Sequence, residues 1–307
     1  MLDSVDTAPH VASPSRITAA RFVREIRVWQ WIKNLLLFVP IVMAHRLHDF
    51  GAMLRVAEAF AAFCLAASAG YLVNDLRDLE HDREHPLKRR RMFASGGLPA
   101  SAGWIAAPIL YAAAFAIVWK TGMSTTAYLA VYVAMTALYS IALKKRVIID
   151  VLILAALYTL RMLAGGAAAG VEVSTWLLAF AMFLFLSLAL LKRYADLRML
   201  DAVGVAGAAG RGYLVEDREM LRSIGVPSGL LAVLVFALYL NGEQVNHLYR
   251  TPRLLWLACP LLLYWVAHMW FLAERGEVHD DPIVSAAKDP ASYAVGLLIA
   301  AVAFLAV

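Results

Sequence analysis

The chain has 307 residues, of which 62% are hydrophobic and 17% charged, with 28 basic and 23 acidic side chains and a mean hydropathy of +0.68. That balance excludes a disordered chain, and it excludes a water-soluble globule, whose surface needs more charge. The two cysteines, Cys64 and Cys259, each lie in an apolar run, which excludes a disulfide scaffold and a cysteine-based zinc site.

In chain order, residues 1–15 are polar, carry Pro9 and Pro14 and lack apolar periodicity, so a disordered tail is expected there and not a signal peptide. Residues 16–30 bring Ile17, Phe22, Ile26 and Trp29 to helical spacing with Arg16, Arg21, Arg24 and Arg27 largely elsewhere, the pattern of an interfacial helix. Residues 16–307 then read as a single membrane domain. A bilayer core about 30 Å thick takes about 20 apolar residues per helix. Nine spans are expected, at 32–50, 54–74, 103–121, 124–143, 148–169, 174–192, 224–241, 254–272 and 291–307. The fold class is therefore expected to be an all-α polytopic membrane protein.

Basic residues alternate sharply between the connections. One set holds only Arg46, Arg55, Lys120, Arg250 and Arg253, Arg161 lies inside a span, and the other 22 fall on the opposite set. Basic residues are retained on the cytoplasmic side, so a cytoplasmic N-terminus and an external C-terminus are expected, in an inner (plasma) membrane.

The densest polar cluster, residues 71–99, begins before the second span ends. Asn74, Asp75, Asp78 and Asp82 stand at i, i+1, i+4 and i+8, a narrow helical stripe whose carboxylates repel unless a cation sits among them. Oxygen ligands suit Mg²⁺, which bridges to substrate phosphates, so a diphosphate substrate is implied. Lys88 and Arg91 follow as candidate grips on phosphate oxygens. Asp150 and Arg161, eleven residues apart, share a face of the fifth expected span; the deeper Arg161 needs an anionic partner, either a substrate or another helix. Lys33 and Lys144 read either as phosphate contacts or as interface anchors. Asp196 and Asp201 lie about 140° apart on a helix and cannot jointly chelate an ion. Lys192, Tyr194, Asp196 and Arg198 offer instead the mixed donors and acceptors that suit a hydroxylated sugar phosphate. No phosphate-loop, serine-hydrolase or Cys-x-x-Cys signature is present, and nothing points to nucleic acid.

Asn74-Asp75-x-x-Asp78-x-x-x-Asp82, followed by Lys88, Arg91 and Ala94-Ser95-Gly96, resembles the first acidic motif of the UbiA superfamily of intramembrane prenyltransferases. Trp29-Gln30-Trp31-Ile32-Lys33-Asn34, Tyr139-Ser140 before Lys144, and Asp150 with Arg161-Met162-Leu163-Ala164-Gly165 resemble its decaprenyl-phosphate phosphoribosyltransferase branch, from about residue 25 to the end. The resemblance implies a helical bundle with a cytoplasmic cap around a lipid-open cavity. It implies Mg²⁺-dependent transfer of phosphoribose from phosphoribosyl pyrophosphate to a polyprenyl (decaprenyl) phosphate, releasing pyrophosphate, in the making of a cell-wall precursor. Asn74, Asp75, Asp78 and Asp82 would hold the metal, with the three aspartates catalytic. Gln30, Lys33, Asn34, Tyr71, Lys88, Arg91, Tyr139, Lys144, Asp150, Arg161, Lys192, Tyr194, Asp196 and Arg198 would bind substrate. Two positions depart from the superfamily: Met92 stands where proline is usual, and Leu200 interrupts the second acidic motif. The alternatives are a prenyltransferase acting on an aromatic acceptor and, third, a lipid transporter or flippase; a homo-oligomer is also open.

Overall fold

The structure is a computed structural model and describes residues 26–84, 89, 91–205, 207, 211–242, 245, 248–278 and 281–307; the side chain of His81 is not included. The expected tail 1–15, residues 16–25 of the expected interfacial helix and Lys88 lie outside the described residues. Helices dominate. The only bridge of the β type among the described residues is an isolated antiparallel one between Gly207 and Leu214.

A 3₁₀ stretch, Val28–Phe38, runs directly into α1, Val39–Met43. The remaining helices are α2 (Phe50–Arg77), α3 (Leu79–Glu84), α4 (Ala100–Val118), α5 (Met123–Ile141), α6 (Ile149–Ala169), α7 (Thr175–Ala202), α8 (Arg218–Leu240), α9 (Ala258–Arg275), α10 (Pro282–Ala286) and α11 (Pro290–Ala306). Among the described residues seven are long and apolar enough to cross a membrane: α2, α4 and α5 to α9, three of them counted with an adjoining 3₁₀ turn. The first and ninth expected spans correspond to the shorter apolar helices Val28–Met43 and Pro290–Ala306.

Local chemistry sets the boundaries. Asp49 caps α2 by accepting the amide of Ala52 at 2.9 Å, Ser174 caps α7 through Leu177 at 3.2 Å, and Asp289 caps α11 through Ser292 at 2.7 Å. The outward faces carry Ile105, Ile109, Leu234, Phe271, Leu297 and Phe304, all exposed, as a bundle solvated by lipid requires.

The two largest of four apolar clusters among the described residues organise the bundle. One gathers Leu37, Ile41, Phe63, Leu129, Tyr132, Leu157 and Leu160 between the first segment, α2, α5 and α6. The other gathers Leu190, Leu197, Leu221, Val233, Val266, Met269 and Trp270 between α7, α8 and α9. α6 and α7 pack on each other and join them. The first segment lies hard against α6 because Gly165 has no side chain: a Cβ there would stand 1.9 Å from the carbonyl oxygen of Leu37. That contact sets the depth of Lys33 and Asn34 beside Arg161.

Candidate functional site

The polar residues of the bundle fall into three groups. The first is rich in acid and lies where α2 ends. The stripe expected from the spacing does not hold together: α2 stops at Arg77, Asp78 is its C-cap, and the chain re-enters a helix at Leu79. Asp75 and Asp82 are buried and share one cation, Arg91 Nη1, at 2.8 and 2.7 Å. Arg27 pairs with the other oxygen of Asp75 and lies over the ring of Tyr71, 4.9 Å from its centre. Asp78 turns instead to Lys144 Nζ, 2.8 Å away, in the short turn between α5 and α6. The reason is electrostatic: each carboxylate beside hydrocarbon takes the nearest cation, and those cations come from three connections. Among the described residues no three carboxylate, imidazole or thiol groups converge on one metal position. The donor set still fits a hard divalent ion, because two buried carboxylates already hold one cationic nitrogen between them.

Basic side chains dominate the second group. Arg161 is buried in α6 and donates from Nε to Asn34 at 2.8 Å, from Nη1 to the carbonyl of Leu157 at 2.6 Å and from Nη2 to the Tyr132 hydroxyl at 3.0 Å. The rings of Tyr132 and Tyr158 flank it at 4.8 and 5.6 Å. Among the described residues no carboxylate lies within ion-pair distance of Arg161. Lys33 is buried nearby and pairs at 2.8 Å with Asp281, which also stands 3.9 Å from Lys192 and accepts the Tyr158 hydroxyl at 2.9 Å. Burial opposes ionisation of Asp281, yet Lys33 and Lys192 beside it, with hydrogen bonds from Lys33 and Tyr158, bring its pKa from 3.8 down to about 2. Tyr71 lies between the two groups, under Arg27 on one side and within electrostatic reach of Lys33 on the other. Gln30 carries a buried side-chain oxygen with no partner.

The third group is a brace. Asp150, 0% exposed, accepts from Arg193 Nε at 2.6 Å and from the Tyr213 hydroxyl at 2.5 Å, and Arg193 donates onward to Tyr139 and Asp196, both at 2.8 Å. Ile148, just before α6, holds φ at +68°, a strained conformation for a β-branched residue, and its amide donates to Tyr213. Asp150 and Tyr139, expected from the sequence to touch substrate, are thus committed to a protein cation. Asp150 and Arg161 do sit on one helix but serve different groups. Tyr194 is likewise buried, with its hydroxyl on Glu274, and Arg198 lies against the backbone of Gly276. Asp196 and Asp201 take separate partners, Arg193 and Arg218, as their angular separation on α7 requires.

Arg27, Tyr132, Tyr158, Arg193 and Asp281 escaped the sequence reading. Arg27 and Arg193 were hidden in the basic excess of their connections, and the tyrosines carried no pattern. Asp281 left only the Asp-Pro signature of a helix start, whose geometry it does adopt at α10. Between α2, α4 and α5 lies an apolar cleft of about 360 Å³ lined by Gly70, Val73, Arg77, Trp104, Tyr111 and Ile141.

Comparison with known proteins agrees with this architecture. The chain is 36% identical over 280 residues to the Sinorhizobium fredii protein y4nM, covering 91% of this chain and 54% of that one, so it spans about half that relative's length. It is 33% identical over 281 residues to the nodulation protein NoeC of Azorhizobium caulinodans, covering 91% of this chain and 90% of the relative. It is 35% identical over 205 residues to the decaprenyl-phosphate phosphoribosyltransferase of Mycolicibacterium smegmatis, covering 65% and 64% respectively. Among solved structures, a UbiA homologue from Archaeoglobus fulgidus bound to GPP and Mg²⁺ superposes with a TM-score of 0.69 at 16% identity, over 94% of this chain and 100% of the other. The sequence model of the UbiA prenyltransferase family matches residues 35–209, from the first segment past the end of α7, and the chain belongs to that family.

Proposed function

We propose that the protein transfers phosphoribose from phosphoribosyl pyrophosphate to a polyprenyl phosphate and releases pyrophosphate. The observation that carries this reading is the charge of the basic group: Lys33 and Lys192 flank one carboxylate, Asp281, and a third cation, the buried Arg161, has no carboxylate partner among the described residues. A donor diphosphate calls for an acidic, metal-compatible seat, and an acceptor phosphate calls for a second, basic one. An aromatic acid would also bring an anion, but a carboxylate carries less charge than a phosphate monoester and calls for fewer cations. The identity to decaprenyl-phosphate phosphoribosyltransferases supports the same reading.

In this mechanism Asn74, Asp75, Asp78 and Asp82 would hold Mg²⁺, which would supply charge neutralisation for a pyrophosphate leaving group. Arg91 and Arg27 leave their carboxylates for the pyrophosphate oxygens, and Lys144 leaves Asp78. The free oxygen of Gln30 accepts a ribose hydroxyl. Lys33, Lys192 and Arg161 hold the acceptor phosphate in line with the ribosyl carbon; that phosphate is already an anion, so alignment replaces a general base. The apolar cleft takes prenyl chain. In this reading Val28–Met43, about 30 Å long with its 3₁₀ turns, and Pro290–Ala306, about 26 Å long, add two further spans to make nine, with the N-terminus and the site on the cytoplasmic face of the plasma membrane.

The test is a paired assay on purified protein with Mg²⁺. Polyprenyl phosphate and phosphoribosyl pyrophosphate go in one tube, a prenyl diphosphate and an aromatic acid in the other, and lipid products are identified by mass. A phosphoribosyl lipid is expected. A prenylated aromatic would establish the second reading, which the likeness to a fold neighbour bound to GPP favours.

A further inference from the structure

Asp281 lies in the connection between α9 and α11, far in sequence from every motif, yet its side chain reaches the centre of the basic group. It arrives there because α10 packs on the first segment and on α7, with Ile283 against the cluster of Tyr158, Met162 and Phe185. Its own bonds hold it in place. Oδ1 accepts the Tyr158 hydroxyl at 3.0 Å and the amide of Ile283 at 3.2 Å, and Oδ2 accepts Tyr158 at 2.9 Å and Lys33 at 2.8 Å. A carboxylate so fully engaged does not vacate its place cheaply.

The two lysines are not consumed by it. Each ammonium has three donors. Lys33 gives one to Asp281, and Lys192 Nζ, at 3.9 Å, stands beyond hydrogen-bond length, with a side chain 26% exposed. Without the carboxylate the two ammonium groups, on different helices, would repel and swing apart. With it they stay charged and close, and the trio retains a net positive charge with Arg161 beyond it.

We propose that Asp281 is a positioning residue for a phosphate-monoester seat whose contacts are Lys33 and Lys192. This deepens the proposed function and rests on it for the choice of ligand: the reaction offers two monoesters, the lipid phosphate and the 5-phosphate of the sugar donor. Diphosphate bound through Mg²⁺ at Asp75 and Asp82 does not depend on Asp281.

The experiment measures equilibrium binding to the full chain in nanodiscs, with three probes: farnesyl phosphate, ribose 5-phosphate, and pyrophosphate with Mg²⁺. Asp281→Asn is expected to weaken one monoester by about tenfold, as loss of a charge-assisted arrangement does, and to leave Mg²⁺-pyrophosphate within about threefold. The monoester that weakens identifies the seat's ligand. Asp281→Glu, which keeps the charge but moves it by one methylene, is expected to recover part of the loss, and it carries the test if the asparagine variant does not fold. Equal losses for all three probes, no loss with either variant, tighter monoester binding by Asp281→Asn, or a wild type that binds neither monoester would each overturn the proposal. Turnover of the wild type is scored separately: monoester binding that depends on Asp281 without any phosphoribosyl lipid would sink the function and leave the seat standing.

Discussion

The acid-rich end of α2 and the base-rich group around Asp281 solve one problem, charge beside hydrocarbon, in opposite ways. At the first, three aspartates are neutralised by Arg27, Arg91 and Lys144, which come from partly exposed connections and can be exchanged for another cation. At the second, two lysines meet one deeply anchored carboxylate and Arg161 nearby has none, so the deficit of anions is built into the helices. The difference teaches which partner each region lacks: the first has its charges balanced by groups that can leave, and the second waits for an anion.

The sharpest way to break the comparison is to remove divalent metal. Chelation is expected to abolish turnover, with recovery on adding Mg²⁺, while binding of farnesyl phosphate to the basic group persists; loss of both would merge the two regions into one metal-dependent site. Next comes the brace, which belongs to neither region. Asp150→Asn leaves the buried Arg193 with Asp196 as its one remaining carboxylate and should cost about 2–3 kcal/mol of stability. Thermal unfolding in detergent reads this, and an unchanged midpoint with a selective substrate defect would return Asp150 to the ligand-binding residues.

Within the acidic region, Asp78→Asn should lower the rate by about 10²–10³-fold in a folded protein, the loss typical of one electrostatic contact in the transition state. A near-normal rate would end its metal role. In the basic region, Arg161→Gln should raise the KM for lipid phosphate by about tenfold more than the KM for the sugar donor. The smallest effect concerns pH. The folded pKa of Asp281, about 2, lies below its ordinary 3.8, so its charge stabilises the fold fully above pH 4 and loses that effect only as pH falls toward 2. A pH–rate profile between 5 and 9 should therefore have the same shape in wild type and in Asp281→Glu, whatever the difference in absolute rate.

Much of the bundle was legible before any coordinates. The expected spans 54–74, 124–143 and 148–169 became Phe50–Arg77, Met123–Ile141 and Ile149–Ala169, because a bilayer demands a fixed apolar length and the caps at its edges are local. The site was legible in composition more than in arrangement. Lys33, Asn34, Arg161 and Lys192 were picked out and do assemble, whereas Tyr139, Asp150 and Tyr194 were picked out by the same kind of motif and turn to protein partners instead. Spacing along a helix says which residues share a face, not which helix that face meets.

The sequence by itself determined a polytopic helical membrane protein, the alternation of basic residues between its connections, and a carboxylate motif at the end of one span, because hydrophobic length, charge asymmetry and helical period are properties of short segments. Only the tertiary structure decided that Asp78 parts from Asp75 and Asp82, that Arg193 braces Asp150, and that Asp281 enters between Lys33 and Lys192. Those pairings join residues as many as 248 positions apart, and a buried charge chooses its partner by distance in space, which no local pattern encodes.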